Sequence, residues 1–109
     1  MKTQEVTVVR IYLSEKEGQL ENLLRRLHDR EKVKGVTVFR GISGFGSSGE
    51  IHSARLIDLS LDLPVVVEFF DAPDKVTSIV EHIHTSIKPG HIIHWTAYVN
   101  EDDENNDDK

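Results

Sequence analysis

The run VTVFRGISGFGSSGEIHSARLIDLSLDLPVVVEFF, Val36 to Phe70, decides the fold. Its ends, Val36–Arg40 and Leu63–Phe70, are rich in β-branched and aromatic residues, which suit a pleated surface, and both read as strands. Between them stand Gly41, Gly44, Gly46 and Gly49, four of the seven glycines in the chain. A hairpin uses about two to five connecting residues, whereas this connection runs to about twenty, and long connections in small domains carry function. Ile51, Leu56, Ile57, Leu59 and Leu61 make it too apolar for plain disorder. The loop at about 43–62 is therefore expected to pack on a neighbouring subunit or to order when a partner arrives.

Upstream, Val6 to Leu13 alternates as a strand, with Val9, Ile11 and Leu13 on one face and Val6, Val8, Arg10 and Tyr12 on the other. The second face is half apolar, which predicts that another subunit covers it. Ser14 and Glu17 have capping-box spacing, and Leu20, Leu23, Leu24 and Leu27 then repeat at helical intervals until Gly35. Glu21, Arg25, Arg26, Asp29 and Arg30 form the solvated side of that helix. Downstream, Asp71-Ala72-Pro73 starts a second helix striped by Val76, Ile79, Val80, Ile83 and Ile87 and ended by Pro89-Gly90. Ile92 to Val99 makes the last strand, with Ile93, Trp95, Ala97 and Val99 on one face.

Strand, helix, strand, strand, helix, strand is the split βαβ order. It predicts a ferredoxin-like α+β fold: a four-stranded antiparallel sheet, two helices on one face, and the first and third strands in the middle. With 109 residues the chain makes one domain, about 1–100, and has no cysteine for disulfides or thiolate metal sites. The absence of a signal-peptide pattern or long apolar run predicts a soluble, cytoplasmic protein. The tail from Glu101 to Lys109 supplies −5 of the net charge of −6 and reads as a disordered, solubilising end. The remainder, about −1, offers no general attraction for nucleic acid, and the strand faces lack the aromatic stacking motif of RNA-binding modules on this fold.

Glycines at this density let the backbone reach positive φ and bring N–H groups close to a ligand, and Arg40, His52 and Arg55 place basic groups beside them. The six histidines form no convincing metal pair: His82 and His84 stand two apart on a helix, and His91 and His94 fall on opposite faces of a strand. The serines at 47, 48 and 53 lack a nucleophile elbow, and Asp58 and Asp62 read as loop carboxylates. No catalytic residue and no metal ligand is assigned.

Together, VRIYLSE from Val9, Gly41, the Gly44-Phe45-Gly46 triplet, Ile51-His52-Ser53 and Asp62-Leu63-Pro64 give a resemblance spanning about Val6 to Val99. The chain resembles the PII-like proteins of domain-of-unknown-function family 190, which are similar in turn to PII signal-transduction proteins. The resemblance implies a homotrimer with a small-molecule effector in the clefts between subunits. That effector is expected to be an adenine nucleotide: AMP, ADP, ATP or a cyclic dinucleotide. It further implies a non-enzymatic regulator whose long loop addresses a target such as a membrane transporter or a metabolic enzyme.

Carried over residue by residue, Gly44, Phe45 and Gly46 match the triplet at the base of the PII loop. There the glycine N–H groups approach phosphate, while Phe45 forms an apolar wall or joins the core. Ser47 and Ser48 stand where PII proteins carry a glutamine and a lysine; their hydroxyls donate to phosphate or carboxylate, or serve the turn. The loop has no tyrosine to modify. Of the basic turn before the last strand, Lys88 and Gly90 keep the family character. Glu101, Asp102 and Asp103 replace the arginines near the PII C-terminus, so a triphosphate is expected to meet repulsion there. The alternatives are a trimeric metal- or anion-binding protein without a protein target, and a weak enzyme on the same fold.

Overall fold

The computed structural model describes residues 1–14, 18–45, 51–53 and 63–102, with the side chains of 51–53 excepted. The elements run β1 (Lys2–Ser14), α1 (Gln19–Asp29), β2 (Thr37–Arg40), β3 (Ser43–Phe45), β4 (Ile51–Ser53), β5 (Pro64–Asp71), α2 (Pro73–Ile83), a 3₁₀ turn (His84–Ser86) and β6 (Ile92–Glu101). The main sheet has the order β2-β5-β1-β6. All three pairings are antiparallel, so the first and third strands of the split βαβ pattern are central, as expected. The fold is ferredoxin-like α+β.

Alternation along the strands decides which face meets the helices. Val9, Ile11 and Leu13 of β1 lie opposite Phe69, Val67 and Val65 of β5, and all six are buried. Leu23 and Leu27 of α1, and Val76, Ile79 and Ile83 of α2, close over the core. Each such side chain contributes about 1.5–3 kcal/mol by leaving water. The other face carries Val8, Arg10 and Tyr12 of β1, Val66, Glu68 and Phe70 of β5, Phe39 of β2, and Ile93 and Trp95 of β6. Among the described residues no helix lies across it. Val6 shares this open face yet is buried, because it sits in a concavity of about 600 Å³ with Gln4, Phe70 and Val99.

Several boundaries differ from expectation. The expected helix start at Ser14 is displaced: Ser14 ends β1 opposite Pro64, Glu17 lies outside the described residues, and the N-cap of α1 is Gly18 at φ 67. Glycine alone reaches that left-handed conformation without strain, which allows a sharp entry to the helix. In α2, Ala72 takes the cap position with Pro73 behind it, while the Asp71 carboxylate accepts from the Ala72 N–H at 2.8 Å and pairs with Lys75 at 3.0 Å. Ile87 reaches the core beyond the 3₁₀ turn in extended conformation, outside the helix. Glu101 belongs to β6, opposite Lys2, rather than to a tail; residues 103–109 lie outside the described residues. Arg26 is not on a solvated side. Its Nη2 donates to the His82 carbonyl at 2.8 Å, and Glu31, 4.0 Å away, meets His82 Nδ1 at 3.1 Å.

Candidate functional site

The glycine segment leaves the sheet at β2 and returns at β5. The Gly41 N–H donates to the Pro64 carbonyl at 2.7 Å, adding one step to the β2–β5 ladder beyond Arg40 and Val65. A Cβ at Gly41 would stand 2.7 Å from Pro64 Cγ and 3.3 Å from the Pro64 oxygen, and one at Gly44 would stand 3.3 Å from the same ring carbon. Pro64 thus closes against both glycines, which accounts for their pairing with Asp62-Leu63-Pro64 in the sequence.

The start of the connection is not a plain loop. β3 and β4 form a separate two-stranded ribbon, with Ser43 opposite Ser53, Gly44 opposite His52 and Phe45 opposite Ile51. This places the backbone of His52 beside Gly44. Phe45 is 74% exposed and Ile42 80% exposed, so Phe45 does not join the core of its own chain. Gly46, Ser47, Ser48 and Arg55 lie outside the described residues.

Lys88 and Gly90 sit in an exposed turn ahead of β6. Gly90 has φ 82. The His91 N–H donates to the Lys88 carbonyl at 3.1 Å, and the Tyr12 N–H to the His91 carbonyl at 2.8 Å, which ties the turn to the end of β1. In chain direction β2 and β1 end where β5 and β6 begin, so Gly41 and the Lys88 turn occupy the same end of the sheet. They stand on opposite edges, however, β2 on one side and β6 on the other. Three strand spacings separate them, about 14 Å. Within one chain, then, Arg40, Gly41, Gly44 and Phe45 are gathered at one edge, and Lys88 and Gly90 at the other.

Among the described residues no group of three His, Cys, Asp or Glu side chains could hold a metal ion, and no helix is long and apolar enough to cross a membrane. The open face holds a charged pair that motif reading passes over. Arg10 Nε donates to Glu68 Oε1 at 2.6 Å, and its guanidinium lies 5.5 Å from the centre of the Trp95 ring. Alternation already placed Arg10 outward among apolar residues; what it lacked was the register that brings Glu68 opposite.

Comparison with known proteins places these features in context. The model of the family DUF190, described as uncharacterized ACR, matches residues 6–99. A "UPF0166 protein" of Aquifex aeolicus (strain VF5) is 36% identical over 88 residues, covering 76% of this chain and 83% of that protein. The structure of CPII from Thiomonas intermedia K12, bound to ADP and bicarbonate, superposes with a TM-score of 0.68 at 21% identity, covering 92% of this chain and 93% of that one. The periplasmic divalent cation tolerance protein CutA from Archaeoglobus fulgidus gives a TM-score of 0.56 at 13% identity, with coverages of 91% and 88%.

Proposed function

The chain belongs to the DUF190 family, and from that premise we propose that it is a PII-like, non-enzymatic regulator of the cytoplasm. It is a homotrimer that senses a small metabolite, an adenine nucleotide, in the clefts between its subunits. The observation that carries this reading is the division of the candidate ligand groups between two sheet edges. Among the described residues Gly41, Gly44 and Phe45 at the β2 edge face no basic turn, and the Lys88–His91 turn at the β6 edge stands about 14 Å away. A ligand spanning both needs the β2 edge of one subunit beside the β6 edge of the next.

Two further observations support it. The open face exposes Phe39 and Phe70 at 48% each and Trp95 at 40%, large apolar side chains that a neighbouring subunit would take out of water. The similar CPII structure holds ADP, which supports an adenine nucleotide as the ligand. Binding would shift the connection from Ser43 to Leu61 between two arrangements and so alter affinity for a target, a transporter or a metabolic enzyme. The CutA-like neighbour favours one second reading, a trimer that binds divalent cations.

Calorimetric and thermal-shift titration with AMP, ADP, ATP, cyclic dinucleotides and divalent metals, with and without bicarbonate, separates the two. An adenine nucleotide is expected to raise Tm, since about 100-fold excess over Kd adds about 2.7 kcal/mol. Gly46→Glu, which sets a carboxylate against phosphate, is expected to abolish the shift. Binding of a metal with no nucleotide bound at millimolar concentration would replace the sensor reading by the cation reading, and a monomer in solution would remove the shared cleft.

A further inference from the structure

The open face sets a charged pair among apolar residues near its middle. There the two central strands set Arg10 directly opposite Glu68. Val8 and Tyr12 flank the arginine along β1, Val66 and Phe70 flank the glutamate along β5, and Ile93 lies opposite Arg10 on β6. The pair is closed at 2.6 Å, with side-chain exposures of 42% and 26%. The guanidinium lies over Trp95 at 5.5 Å, so both its edge and its face have partners. The hydrogen bond to Glu68 holds Arg10 still further above its ordinary range, which keeps the charge in place.

An ion pair left in water adds little to stability. The same pair covered by protein behaves differently, because an uncompensated partner then becomes costly and only arrangements that keep the bond closed are tolerated. An apolar surface alone permits many ways of stacking; a polar group embedded in it selects one.

We infer that further copies of this chain cover the open face, and that the Arg10–Glu68 pair, held under Trp95, fixes how the copies sit on one another. The inference rests on the homotrimer reading above and names the element that makes that assembly discrete. A second copy is the occupant the charges favour. Arg10 and Glu68 neutralise each other within one chain, so the face demands no opposite charge from its partner, and an identical face meets it without repulsion. The rest of the chain adds little opposition, since −5 of the −6 lies in residues 101–109. The concavity lined by Val6, Phe70 and Val99 offers about 600 Å³ into which side chains of a neighbour can settle.

The test is light scattering with native mass spectrometry over a dilution series of the full chain, on wild type, Arg10→Met, Glu68→Gln and the double variant Arg10→Met/Glu68→Met. Circular dichroism reports whether each subunit keeps its fold. Wild type is expected to form one discrete oligomer. Each single variant leaves one charge unmatched and is expected to dissociate at a protein concentration about tenfold higher or more, with the fold retained. The double variant is expected to associate again, but into a mixture of sizes. Single variants that dissociate like wild type would overturn the inference and leave the trimer reading standing, as would a double variant that gives the wild-type oligomer alone. A monomeric wild type would overturn the trimer reading itself, and this inference with it.

Discussion

Gly41 and Gly90 are both glycines of the candidate site, but different physics requires them. Gly41 is limited by space: a Cβ would press on the Pro64 ring at 2.7 Å and on its carbonyl oxygen at 3.3 Å. The same carbonyl accepts the Gly41 N–H, so moving Pro64 away opens the first closure of the connection. Gly90 is limited by conformation, with φ +82 and open space around it. Gly41→Ala is expected to lower stability by about 1–3 kcal/mol, as overpacking does, and Gly90→Ala by about 1–2 kcal/mol, the left-handed backbone penalty. Urea denaturation measures both. Pro64→Ala on the Gly41→Ala background separates the mechanisms, because removing the ring should recover much of the Gly41 loss and none of the Gly90 loss. Such roles are partly legible in sequence. The density of glycine marks the segment, but which atom each glycine must avoid depends on where Pro64 returns.

At the scale of elements, the sheet and both helices could be read because their cores follow simple periods. Val9, Ile11 and Leu13 at period two, and Val76, Ile79 and Ile83 at helical spacing, all reach the core. Ends were harder to read. Ser14 and Glu17 have capping-box spacing, yet Ser14 ends the β1 ladder opposite Pro64 and α1 starts from Gly18 instead. The β3–β4 ribbon was hidden because three-residue strands have no period to detect. Arg26 shows how a charged helix residue escapes its helical-wheel assignment. It reaches from α1 to the last carbonyls of α2, donating to His82 O at 2.8 Å, where a cation also meets the negative end of the helix dipole. Neighbouring Arg25 pairs with Glu21 at 3.9 Å across an exposed turn. Arg26→Met is therefore expected to cost about 1 kcal/mol and Arg25→Met no more than about 0.5 kcal/mol. Equal thermal-melting losses for the two would mean that the tie between the helices is not held in solution.

For the whole molecule, the sheet's two ends separate the Lys88 turn from Glu101, the last residue of β6. By family resemblance, Glu101, Asp102 and Asp103 stand where PII proteins carry arginines, which predicts repulsion of a triphosphate. Within one chain the structure argues otherwise. β6 begins at Ile92 beside the Lys88 turn and runs ten residues to Glu101, opposite Lys2. That is about 30 Å of strand, more than three screening lengths of about 8 Å at physiological salt. On the proposed reading, a triphosphate would be limited by the small number of cations at the two edges, Arg40 and Lys88 among the described residues. Replacing Asp103, Glu104, Asp107 and Asp108 by their amides removes four negative charges without touching Glu101 in β6. At about 0.15 M salt this variant is expected to bind AMP and ATP within about twofold of wild type and to keep the same ratio between them. Calorimetry on both nucleotides at low and high salt checks it. A gain of about tenfold for ATP over AMP that disappears at high salt would instead mean that the acidic residues beyond Asp102 act on the bound phosphates.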